Sequence, residues 1–137
     1  MARRSEAYVD TSALIALADR SDTFHPLFRR LFSNPPALVT TPLVVAEGHG
    51  WFLRRFDRYK ALQFLARLES MTPLAILDIG RKDVSSAMIF QRRFSDQDLT
   101  LADAMGLHVM ESRRNQVCWS TDRDMRLTGV PLIIDRA

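Results

Sequence analysis

The chain has 137 residues, a formal net charge of +3 and a sequence pI of about 9.6. That length supports one domain with its own hydrophobic core, and 47% hydrophobic with 26% charged residues excludes a disordered or low-complexity protein. No apolar run reaches the roughly 18 residues that cross a bilayer, and the lone Cys118 excludes a disulfide framework or a cysteine-based zinc site.

In chain order, residues 7–9 read as a strand feeding a helix over 12–20. The basic ARR ahead of AYVDTSALIALA has the outline of a signal peptide, but Asp10 interrupts the apolar region, so a soluble cytoplasmic protein is expected. FHPLFRRLFS, 24–33, is an amphipathic helix, NPP at 34–36 a turn and ALV at 37–39 a strand. Thr41 and Pro42 open a helix to about Arg55 as N-cap and first helical residue, with Gly48 and Gly50 weakening it locally. Further helices fall at 57–70, 81–94 and from Thr100 to 114, and strands at 75–79 and 117–120. TDRDMRL is a short helix and PLIID, 131–135, a last strand. Strands alternating with helices or helical hairpins predict an α/β fold with a mainly parallel sheet, in one domain over 1–137.

Such a fold binds ligands beyond the carboxyl ends of its strands, and four acids together suggest carboxylates converging there. Asp10 follows the first strand directly; its competing role is to cap the next helix. Glu47 shares a stripe with Leu43 and Trp51 at i, i+4, i+8, on an apolar helix face; the competing readings are an exposed glutamate in a shifted helix or one paired with a nearby arginine. The glycines beside it leave room for another backbone or a ligand. Asp103 is the one charge in LTLADAMGL, and Thr100 with Asp103 has capping-box spacing, which is compatible with a ligand role. Asp122 repeats the position of Asp10 after the strand VCWS. Thr121 and Asp124 would form a second capping box and leave Asp122 free; Asp98 and Asp124 are accessory candidates. Several carboxylates without matching buried cations cannot all stay ionised unless a cation sits among them. All-oxygen ligation, with no paired His and no second Cys, points to a hard ion, Mg²⁺ or Mn²⁺.

The runs VDTSAL, TPLVVAE, LTLADA and STDRDM, in that order over nearly the whole chain, resemble a PIN domain, closest to the bacterial VapC-type toxins. The resemblance implies a three-layer α/β/α sandwich and a metal-dependent ribonuclease that leaves a 5′-phosphate and a 3′-hydroxyl. Its acidic quartet falls on Asp10, Glu47, Asp103 and Asp122. The hydroxyl beside the first acid falls on Ser12, with Thr11 adjacent, and the hydroxyl ahead of the third acid on Thr100. It further implies an RNA substrate, a homodimer and a cognate antitoxin. Two departures stand out: GHG follows Glu47 where continuous apolar helix is usual, which would open the site, and Asp98 has no counterpart.

Other residues read more plainly. His25, His49 and His108 have no zinc spacing, and His49 lies on a different helix face from Glu47. Cys118, Met88, Met105 and Met110 read as core, and Trp51, Phe52 and Trp119 as core or dimer interface. The positive charge is nearly all arginine, Lys60 and Lys82 being the only lysines, which suits phosphate or carboxylate contact. The pairs ending at Arg30, Arg55 and Arg93 are solvated helix ends or a phosphate-tracking rim. No serine or cysteine has a triad partner set. A phospho-accepting domain would want a second acid beside Asp10 and a late lysine, neither of which is present. A binding module that occludes RNA or a partner without cleaving is the remaining alternative.

Overall fold

The computed structural model describes residues 5–136; Arg3 and Arg4 of the basic start lie outside the described residues. In order, the elements are β1 (Glu6–Val9), α1 (Thr11–Ala18), α2 (His25–Ser33), β2 (Ala37–Thr40), α3 (Pro42–Arg55), α4 (Arg58–Ser70), β3 (Leu74–Ile76), α5 (Arg81–Arg93), α6 (Leu101–Arg113) and β4 (Cys118–Trp119). Each strand is thus joined to the next by two helices. All pairings are parallel and the sheet order is β3-β2-β1-β4. Three consecutive residues of β1, Ala7, Tyr8 and Val9, are buried, as are Leu38, Val39 and Thr40 of β2. Successive strand residues face opposite ways, so helices must cover both faces, which makes the α/β/α sandwich.

The helices start where local chemistry dictates. Thr41 Oγ1 accepts from Val44 N at 3.4 Å with Pro42 at the first position of α3. Asp57 Oδ1 accepts from Lys60 N to open α4. Thr100 and Asp103 cap α6 reciprocally, both at 3.0 Å. The glycines of α3 do not break it. Gly48 belongs to its fully buried stripe with Val44 and Phe52, and any Cβ there would meet the ring of Phe64 from α4. Gly48 therefore brings two helices together instead of opening the site.

Several expectations are corrected. The strand expected at 75–79 ends at Ile76: Leu77 N still reaches Thr40 O, and the chain then leaves the sheet. The strand at 131–135 does not form. Cys118 bridges Leu132 once, Cys118 N donating to Pro131 O, and Ile133–Asp135 turns as a 3-10 helix. Pro131 has no N–H to continue a ladder. The helix expected in TDRDMRL is a 3-10 turn, Arg123–Arg126. Met88 is 42% exposed, not core, whereas Met105, Met110 and Cys118 are buried.

Candidate active site

Sheet order reverses at β1: β2 and β3 extend on one side of it and β4, made last, on the other. That reversal is the topological switch point at which open α/β sheets bind ligands. Val9 pairs with Trp119, so the next residues, Asp10 and Ser120, emerge side by side at the carboxyl ends of β1 and β4. Asp10, Glu47, Asp103 and Asp122 line one cleft of about 200 Å³, together with Thr11, Ser12, Ile15, Trp51 and Arg54. The four acids come from four places in the fold: after β1, along α3, in the first turn of α6, and after β4. Asp98 is exposed and Asp124 half-buried, and neither lines the cleft.

Each acid uses one oxygen for a local hydrogen bond. Ser120 Oγ donates to Asp10 Oδ2 at 2.8 Å and Ser12 Oγ to the same oxygen at 3.3 Å. Thr11 Oγ1 donates to Glu47 Oε1 at 2.6 Å, so Glu47 is held by a hydroxyl and not by an arginine. Thr100 N donates to Asp103 Oδ2. Asp124 N donates to Asp122 Oδ1 at 3.0 Å, which corrects one expectation: Asp122 caps this turn itself, and Thr121 does not. Asp10, by contrast, makes no side-chain cap to α1 although it stands at the cap position. Its other oxygen, Oδ1, is buried without a hydrogen-bond partner.

Ser120 was not legible as a site residue. It is fully buried, pairs with Ser12 Oγ at 3.0 Å, and accepts from Asp122 N at 2.9 Å, tying the first acid to the fourth. The available signal was its place one residue past a strand, mirroring Asp10, which becomes informative only once β4 is known to lie beside β1. His49 lies in a separate apolar groove with Val45, Leu65 and Ile76. The larger hollow by Glu6 sits at the opposite end of β1, where Arg113 and Asn115 clamp the Glu6 carboxylate.

A family model described as PIN domain matches residues 7–130. The chain belongs to the PIN domain family. No curated protein matches the chain by sequence. Among solved structures it is similar to VapC20 of Mycobacterium tuberculosis, described as a Sarcin-Ricin loop cleaving toxin. The two are 25% identical with a TM-score of 0.82, over 90% of this chain and 95% of that one. VapBC2 from Rickettsia felis, bound to a DNA fragment from its promoter, aligns at a TM-score of 0.67 with 11% identity, over 93% and 96%. PAE2754 from Pyrobaculum aerophilum aligns at 0.66 with 20% identity, over 96% and 93%. The last two likenesses concern the fold.

In this PIN domain the acids feel one another. Burial raises the pKa of Asp10 from 3.8 to about 7; the Ser120 hydroxyl and, more weakly, the Thr11 N–H pull it back, while the charges of Asp103 and Asp122 push it up. Burial likewise raises Asp103, against its bonds to Thr100, with Asp122 and Glu47 adding to the rise. Among the described residues no three acids converge as a ready coordination cluster. The donor chemistry nonetheless suits a hard divalent cation: four carboxylates, each oriented through one oxygen, with a buried unpartnered oxygen on Asp10. A divalent charge there would supply what the raised Asp10 lacks, a cation to keep it ionised.

Proposed function

We propose that this PIN domain is a VapC-type toxin, a ribonuclease that hydrolyses RNA phosphodiester bonds with Mg²⁺ or Mn²⁺ held by Asp10, Glu47, Asp103 and Asp122. The observation that carries the reading is four carboxylates from separate elements around one cleft at the switch point, with Asp10 Oδ1 buried and unpartnered. When bound, the metal supplies a water of lowered pKa and charge stabilisation at the scissile phosphate. The rest falls to the chain. Ser12 and Ser120 fix Asp10 through Oδ2, Thr11 fixes Glu47 and Thr100 fixes Asp103, so the opposite oxygens stay available. Nucleophile generation needs no serine or cysteine here, in keeping with the buried Cys118, whose thiol pKa burial pushes up.

The toxin reading rests on the likeness to VapC20 and on the VapB partner present in the Rickettsia complex. We accordingly place this chain in the cytoplasm as a homodimer held inactive by a cognate antitoxin over the cleft, a partner arginine pairing with the acids. The Sarcin-Ricin loop is the first RNA to try, because the 25%-identical toxin cleaves it. Labelled loop RNA and total RNA should be cut with Mg²⁺ or Mn²⁺, uncut in EDTA, and cut again on metal add-back. Cleavage that persists in excess chelator would rule out the mechanism. Co-expression with the neighbouring small open reading frame should yield one stable, inactive complex, and separate elution of the two chains would remove the antitoxin from the account.

A further inference from the structure

The cleft is lined by four acids and one cation, Arg54. Arg54 is exposed, and its side chain makes no hydrogen bond or ion pair among the described residues. Its neighbour Arg55 is differently placed, with its guanidinium 5.7 Å from the Trp51 ring centre and 6.0 Å from that of Phe56. Arg54 stands at i+7 from Glu47, on the same stripe of α3 as Gly50 and Trp51. Gly50 explains how it gets there. A Cβ at position 50 would lie 3.0 Å from Arg54 Nη1 and 3.7 Å from its Cζ and Nη2, its three nearest neighbours outside the adjoining backbone. The side chain thus folds back along the helix, over the gap that the glycine leaves, toward the acids. Glycine inside a helix is unfavourable against alanine, and here the atoms nearest the space it opens are those of the Arg54 guanidinium.

Resting on the ribonuclease reading, we propose that Arg54 grips a substrate phosphate flanking the cleaved bond, and that Gly50 is present to let it reach the cleft. A cleft whose other charges are carboxylates repels an RNA backbone except at its metal, so the strand needs a second positive anchor. A planar guanidinium with free donors suits a phosphate in two-point contact. Arg54 would then act on binding and alignment, not on bond making.

The test compares wild type, Arg54→Ala, Arg54→Lys and Gly50→Ala on labelled Sarcin-Ricin loop RNA and total RNA with Mn²⁺, alongside thermal melts. Arg54→Ala should lower kcat/KM about tenfold to a hundredfold, mostly through KM, with an unchanged melting temperature. The dependence of log affinity on log salt should become shallower by about 0.7, one single-strand phosphate. Arg54→Lys should recover part of the loss, since a point charge lacks the fork. Gly50→Ala carries the discrimination: it should melt no lower than wild type, and yet bind RNA less well because its methyl displaces the guanidinium. Full activity in both Arg54→Ala and Gly50→Ala, with wild type active, overturns this inference and leaves the ribonuclease reading standing. Loss of antitoxin binding alone in Arg54→Ala would also overturn it, making Arg54 a protein contact. A wild type that cleaves neither RNA with metal defeats both.

Discussion

Asp10 is 3% exposed, forms no ion pair among the described residues, and burial raises its pKa to about 7. Its consequences for stability follow by linkage. Between the unfolded pKa near 3.8 and the folded value of about 7, the native metal-free protein holds a proton that the unfolded chain has released. Stability in EDTA should therefore fall as pH rises through that window, by a few kcal/mol at most, and Asp103 adds in the same direction. Urea unfolding in chelator at about pH 5 and about pH 8 checks this; the slope should flatten in Asp10→Asn. Stability that rises across the window would contradict the assignment. Asp10 itself was legible, because a carboxylate in an apolar run after a strand is conspicuous. Ser120 was not: a serine before a polar turn is ordinary, and its burial against Asp10 comes from tertiary placement. Removing its hydroxyl in Ser120→Ala leaves Asp10 Oδ2 with Ser12 and should cost about 1–3 kcal/mol. It should also weaken Mn²⁺ binding measured by calorimetry, a change that a purely structural hydroxyl would not produce.

Helix α3 shows what periodicity can and cannot supply. The stripe Leu43, Glu47, Trp51 reads as apolar and therefore inward; all three are half-buried, and Glu47 and Trp51 line the cleft. The deepest stripe is the neighbouring one, Val44, Gly48 and Phe52. What sequence could not separate is the two glycines, identical in type and two residues apart. Gly48 is filled by an aromatic ring from α4, Gly50 by the tip of a flexible arginine. Their alanine variants should accordingly move in opposite directions. Gly48→Ala should lose about 1–3 kcal/mol in denaturant titration, because Phe64 must leave its rotamer or the helices must part. Gly50→Ala should hold or gain up to about 1 kcal/mol. Equal losses at both positions would show that the gap at Gly50 is as tightly packed as that at Gly48. The unformed strand at 131–135 makes a similar point: PLIID has strand composition, but its proline lacks the N–H a ladder needs, and Leu132 buries itself through one bridge alone.

At the scale of the whole molecule, alternating strands and helices made the α/β fold with a mainly parallel sheet legible, the resemblance implied its three layers, and turn and capping residues placed the helix starts within a residue or two. Strand order was not legible, since nothing in a short buried strand says which side of β1 it joins. That order creates the site: β4, added on the far side of β1, brings Asp122 and Ser120 against Asp10, while α3 and α6 bring Glu47 and Asp103 over the same end. The central claim is that this gathering of acids exists to hold a metal, at a cost in repulsion when the metal is absent. Thermal melts of wild type and Glu47→Gln, each in EDTA and with Mn²⁺, test it most directly. Glutamine can still accept from Thr11 while one negative charge is lost. In EDTA the variant should melt at or above the wild-type temperature. Mn²⁺ at about a hundred times its Kd should stabilise wild type by about 2.7 kcal/mol and the variant much less. A variant that melts far lower in EDTA yet responds to Mn²⁺ as wild type does would contradict the account, and would make Glu47 a structural acid.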